Sequence, residues 1–197
     1  MRIGIFGSAF DPPHKGHIAA IQSAKKALEL DRVILIPTKI PPHKDRPKTP
    51  ERFRLHMARL VAKGRKGWVV SDMEFKRPGR SYTRDTIASL KKRYPGNTLF
   101  WIVGSDSLVS MPWKWKGGWE VLDLCTFVVI PRSGYSLGSV PKVMLQKVIV
   151  LKRTPHWVRS STTIRNLLQH KKSVRHLLDP SVLKFIQQHH LYADYGS

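Results

Sequence analysis

Short, almost unbroken apolar runs alternate along the chain with stretches of helical period. Arg2-Ile3-Gly4-Ile5-Phe6 reads as a buried strand. From Gly16, Ile18, Ile21, Ala24 and Leu28 recur at helical spacing, and Asp31 is expected to end that helix. Val33-Ile34-Leu35-Ile36, stopped at Pro37, is a second strand. Strand, helix, strand with continuously apolar strands predicts a parallel sheet covered by helices on both faces. Thr49-Pro50-Glu51 then supplies the hydroxyl cap, proline and acid of a helix start, and Phe53, Met57, Leu60 and Val61 carry that helix to about Ala62. Trp68-Val69-Val70 predicts a third strand. Ser81 or Thr83 is the expected cap of a helix bearing Ile87, Leu90 and Tyr94. Strands four to six follow at Leu99 to Val103, Phe127 to Ile130 and Val148 to Leu151, with Val143-Met144-Leu145 of open form between the last two. Two short helices are expected between Val174 and Tyr192. The pattern is that of an α/β fold: one domain over residues 1–197, with residues 158–197 as a small helical part.

The chemistry concentrates where strands end. Residues 7–17, GSAFDPPHKGH, join the first strand to the first helix and place His14 and His17 three apart across Gly16. In an open α/β sheet, ligands bind beyond the carboxyl ends of strands, where loop N–H groups and a helix N-terminus meet an anion. The small Gly16 allows close approach, so the two imidazoles suit a phosphate. A helix cap or a solvated side chain is the alternative for each ring. A metal site lacks support, since Cys125 is distant and no zinc-like spacing is present, and G-x-G-x-x-G is absent.

Later loops offer matching parts. In residues 38–48, Pro41 and Pro42 stiffen a segment whose His43, Lys44 and Arg46 point outward, either as a second phosphate contact or as a solvated connector. Ser81-Tyr82-Thr83 opens a helix whose free N–H groups could seat a carboxylate, or form an ordinary cap. Gly104-Ser105-Asp106 closes the fourth strand, with the acid able to accept from ribose hydroxyls or to cap the next helix. Residues 111–119, MPWKWKGGW, hold three tryptophans among lysines and glycines, and one ring near the surface would stack on a pyridinium or an adenine. Ser160, Ser161 and Thr162 crowd a helix N-terminus with Arg165 one turn in, an anion clamp of the kind that holds a triphosphate tail.

Charge reinforces the anion theme without naming the ligand. The chain has 35 Lys+Arg against 13 Asp+Glu, a net +22. Such a field attracts polyanions. The bases are spread through the sequence, so non-specific nucleic-acid binding is kept only as a secondary electrostatic property. At 197 residues a globule buries roughly 70% of its unfolded surface. A single cysteine excludes an internal disulfide and fits a reducing compartment. No apolar run has the length of a membrane span, and the start lacks a targeting pattern, so cytoplasm is the expected location.

Taken in order, GSAFDPPHKGH, IPPHK, SYTRDT, GSDSL with its tryptophans, and SSTTIR resemble the nicotinate mononucleotide adenylyltransferase family of the nucleotidyltransferase superfamily. The first and last are shared across that superfamily; the second and third mark the pyridine-nucleotide branch. Gly7-Ser8-Ala9-Phe10 departs from the usual Gly-Gly-Thr-Phe, and Thr38 and Lys39 replace asparagines. The resemblance implies a Rossmann-like, doubly wound, mostly parallel sheet. It also implies a reaction of ATP with nicotinate mononucleotide giving deamido-NAD and pyrophosphate, by direct in-line attack. His14, His17 and Arg165 would be catalytic. Gly7, Ser8, Ala9, Phe10, Gly16, Gly104, Asp106, Ser160, Ser161 and Thr162 would bind ATP. Lys44, Ser81, Tyr82, Thr83 and Trp115 would bind the mononucleotide, with Trp115 preferred over Trp113 for stacking on the pyridine. Magnesium is expected as a phosphate-bridging ion with no protein-only cage. No membrane partner is expected, and a homo-oligomer is left open. A pantetheine-phosphate adenylyltransferase or a cytidylyltransferase would share the histidines and the serine clamp, but has no reason to carry SYTRDT or the PPHK loop.

Overall fold

A computed structural model describes residues 1–42, 45–152, 154 and 160–193. Strands β1 (Arg2–Ser8), β2 (Arg32–Pro37), β3 (Trp68–Val70), β4 (Thr98–Gly104), β5 (Thr126–Ile130) and β6 (Val148–Val150) form a six-stranded sheet in the order β3-β2-β1-β4-β5-β6. Every pairing is parallel. The chain starts at the centre, works outward through β2 and β3, then returns to β1 and works outward again. The doubly wound, Rossmann-like expectation therefore holds, and the winding reverses between β1 and β4, where a crevice opens at the carboxyl ends.

Alternation along each strand divides the core in two. Phe6, Val33, Leu35, Phe100, Ile102, Val128 and Ile130 face one layer, against helices α1 (Lys15–Ala27), α2 (Glu51–Ala62), α6 (Ser161–Gln169) and α7 (Pro180–Gln188). Ile3, Ile5, Ile34, Ile36, Leu99, Trp101, Val103, Phe127 and Val129 face the other, against α3 (Thr83–Arg93), α4 (Ser105–Lys114) and α5 (Lys142–Leu145). This two-sided burial is why the strands read as apolar runs. A Cβ at Gly4 would lie 2.6 Å from Leu30 Cδ1, so a larger residue there would have to push the buried Leu30 aside. No helix among the described residues is long and apolar enough to cross a membrane.

Several element ends differ from expectation. Helix α1 stops at Ala27, and Glu29 adopts φ +49°, turning the chain so that both Leu28 and Leu30 bury. The Asp31 carboxylate instead accepts from the Arg2 N–H at 2.7 Å. Pro50, not Thr49, is the N-cap of α2, without a side-chain cap bond. Thr49 is buried, and its carbonyl accepts from Arg54 Nε at 3.2 Å. Neither Ser81 nor Thr83 caps α3, whose N-cap is Tyr82. The Ser81 hydroxyl is turned inward, accepting from the Lys39 N–H at 3.2 Å. Val143-Met144-Leu145 falls in α5. Only one helix, α7, lies between Val174 and Tyr192. Val174, Leu177 and Leu178 bury at helical spacing from a single turn, after which Asp179 in extended conformation and Pro180 restart the backbone.

Candidate active site

A cavity of about 1000 Å³ opens at the carboxyl end of the sheet, between the β1, β2, β4 and β5 loops. Its wall brings together Gly7, Ser8, Ala9, His14, Gly16 and His17 with Gly104, Asp106, Ser160, Ser161, Thr162 and Arg165. Ser81, Tyr82, Thr83 and Trp115 complete the same wall. Phe10 does not line it; its buried ring supports His17 edge-on at 5.5 Å. Trp113 is 86% exposed and off the wall. Lys44 lies outside the described residues.

The histidine pair is built into the start of α1. His14 is the N-cap, and its N–H donates to His17 Nδ1 at 3.3 Å. An accepting Nδ1 leaves the ring proton of neutral His17 on Nε2, the atom 3.3 Å from Ser8 Oγ. Burial, reinforced by the Arg132 charge, pulls the His14 pKa down to about 4. His17 is held well below the usual histidine range by burial first, then by His14 and Arg132. Both rings are therefore neutral donors near neutral pH.

On the facing side, Ser160 caps α6 by accepting from the Thr163 N–H at 3.2 Å. Ser161 Oγ donates to the Pro12 carbonyl at 3.0 Å. Arg165 Nη1 donates to the Asp11 carbonyl at 2.7 Å and Nη2 to Thr162 Oγ1 at 3.3 Å. The N-termini of α1 and α6 are thus tied to one loop, and both helix dipoles present their positive ends to the cavity. Across it, Asp106 pairs with Arg132 at 2.9 Å. A Cβ at Gly104 would lie 2.3 Å from Asp106 Oδ1, so only glycine leaves that carboxylate its place. Beyond them, Trp115 leans edge-on to Phe127 at 6.4 Å, and Lys116 Nζ sits 4.8 Å over the Tyr82 ring.

This arrangement has a parallel in known proteins. The sequence matches the cytidylyltransferase-like family over residues 5–167. It is 38% identical over 190 residues to a probable nicotinate-nucleotide adenylyltransferase of Oceanobacillus iheyensis, covering 96% of each chain. The nicotinate-nucleotide adenylyltransferase of Bacillus subtilis is 34% identical over 192 residues, covering 97% of this chain and 98% of that one. The chain belongs to the nicotinate-nucleotide adenylyltransferase family. It is accordingly a nucleotidyltransferase, as its resemblance implied. The family fold is recovered in the nicotinic acid mononucleotide adenylyltransferase of Plasmodium falciparum solved with NaAD, at TM-score 0.79 and 18% identity over 97% of each chain.

Within this adenylyltransferase cavity, sequence reading passed over Arg132, Glu74 and Asp11. Arg132 follows Pro131 directly after β5, so the rule that loops at strand ends carry function was enough to nominate it. Glu74 is buried, and its Oε1 accepts from Thr86 Oγ1 at 2.7 Å. Burial raises its pKa, partly offset by hydrogen bonds from Thr86 and Ser81 and by the Arg77 charge. Asp11 accepts from Tyr192 Oη at 2.8 Å across almost the whole chain, a pairing without any local sequence signal.

Proposed function

We propose that this adenylyltransferase joins the AMP part of ATP to nicotinate mononucleotide, giving deamido-NAD and pyrophosphate. The observation that carries this reading is one cavity whose wall joins His14, His17 and the start of α6 to the start of α3 and Trp115. His14, His17 and the α6 start with Arg165 form one half, suited to a triphosphate. The α3 start and Trp115 form the other, suited to a pyridine ring bearing a carboxylate. Magnesium, a cation that keeps water and phosphate ligands, would be held chiefly by the nucleotide's own phosphates and would supply charge neutralisation there, while the chain's residues position those phosphates. The imidazoles, hydroxyls and guanidinia on the wall suit phosphate oxygens rather than a bare cation.

An oxygen of the mononucleotide phosphate attacks the α-phosphorus of ATP, a new O–P bond forms, and the bond to the β-phosphate oxygen breaks. The nucleophile is already anionic, so no protein base is needed; positioning and charge stabilisation carry the rate. His17 Nε2–H turns from Ser8 toward the reacting phosphate, with His14 beside it. Arg165 and the Ser160–Thr162 turn hold the β- and γ-phosphates, and backbone N–H groups of Ser8 and Ala9 close the loop. The N–H groups of Tyr82 and Thr83 at the start of α3 offer donors to the pyridine carboxylate, with Ser81 bracing that turn through Ile40 and Lys39, whereas an amide would also need an acceptor.

Incubating the pure protein with ATP, magnesium and either nicotinate or nicotinamide mononucleotide tests the reading. Dinucleotide and pyrophosphate are expected with a clear preference for the nicotinate form. Comparable turnover of both removes the carboxylate argument, and dinucleotide from neither overturns the reading.

A further inference from the structure

Arg54, on α2, is fully buried, and its partners are main-chain carbonyls. Nη1 donates to Ala9 O at 2.9 Å and to Thr38 O at 2.5 Å, Nη2 to Lys39 O at 3.3 Å, and Nε to Thr49 O at 3.2 Å. The guanidinium lies over the Phe75 ring at 5.0 Å. These acceptors belong to the loop after β1, the loop after β2 and the approach to α2. The β2 loop is in turn stitched to the start of α3. Besides the Lys39 N–H bond to Ser81 Oγ, Ser81 N–H donates to Ile40 O at 2.9 Å and Lys39 Nζ to Arg77 O at 2.8 Å. Arg54 therefore joins the phosphate loop to the β2 loop, and the β2 loop joins both to the wall that carries Ser81, Tyr82 and Thr83.

We propose that Arg54 is a positioning residue that fixes the spacing between the ATP-phosphate loop and the mononucleotide wall, and so the alignment of the in-line attack; this rests on the function proposed above. A planar fork of five donors can meet carbonyls in three directions at once, whereas a lysine ammonium is a compact point. An apolar side chain of similar volume would fill the space but leave those carbonyls without donors and the loops unlinked. Each substrate makes its own contacts on one side of the joint, so loosening the joint should spare binding and harm alignment.

The test compares single-turnover rates, with both substrates saturating, for the wild type and Arg54→Lys, alongside KM values and melting curves. The expected result is a loss of about 10²-fold in rate, the size associated with small misplacements of reacting groups. Neither KM should move by more than about threefold, a shift under 1 kcal/mol. Guanidinium added to Arg54→Ala, far below unfolding concentrations, should restore part of the rate, while equal potassium chloride should not. A folded Arg54→Lys with a near-normal rate, or a loss confined to KM, overturns the proposal. If the Arg54 variants do not fold, Phe75→Leu removes the ring beneath the guanidinium; a smaller rate loss with unmoved KM supports the proposal, and an unchanged rate overturns it. A wild type that makes no dinucleotide sinks the function and this proposal together, whereas an active wild type with unaffected variants sinks only the latter.

Discussion

The rings of His14 and His17 lie face to face, with centroids 3.8 Å apart and planes 23° from parallel. Phe6 and Phe10 hold the second ring edge-on, at 5.6 and 5.5 Å. Two imidazolium cations in that stack would repel each other in a poorly hydrated place, and Arg132 adds to the penalty. The pair is thus built to stay neutral and donate hydrogen bonds.

This has a direct effect on stability. The His14 pKa is about 4 in the folded chain against an ordinary 6.5. Between these values the unfolded chain takes up a proton that the native chain refuses. Stability should therefore fall as pH drops from about 6.5 to about 4, by up to ~3 kcal/mol from this group, and level off below. Urea unfolding of the wild type and His14→Gln across that range checks it. The variant should show the shallower slope, and identical slopes would assign the acid sensitivity elsewhere.

His17→Ala should lower kcat by about 10²–10³, as when a single preorganised donor is removed from a developing charge. Its melting curve should stay cooperative. A near-normal rate in the folded variant would make the ring a support for Phe6 and Phe10 and nothing more.

The two tryptophans separate cleanly. Trp115 lines the cavity and Trp113 is exposed. Trp115→Ala should raise KM for the mononucleotide by about 5- to 150-fold, from the ~1–3 kcal/mol that a stacked ring contributes. Trp113→Ala should stay within about twofold, as for an isolated surface change. Steady-state kinetics of both variants decide, and the reverse ranking would move the pyridine off Trp115.

Tyr192 is buried and donates to Asp11, which is itself buried. Tyr192→Phe leaves Asp11 Oδ1 without that donor and should cost about 1–3 kcal/mol. Denaturant unfolding measures the cost, and a loss too small to detect would show the tether to be dispensable.

The sheet was legible because each strand is buried on both faces, so Ile34 and Leu35 are equally apolar although they face opposite layers. Histidines and serines placed at strand ends were legible for a related reason: parallel winding sends all those loops to one side. Helix starts were less so. Ser81 has the side chain of a cap, yet its hydroxyl serves the Lys39 N–H across 42 positions. Arg54 sits one place from Phe53 in an amphipathic helix and looks like surface; only the assembled loops supply the carbonyls that hold it. Contacts of that separation leave no trace in local pattern.

Asp11 is gripped twice from far along the chain, at its carbonyl by Arg165 and at its carboxylate by Tyr192. The loop that carries the histidines is therefore walled in by partners 154 and 181 positions away, and it has its shape only once α6 and the turn after α7 have docked.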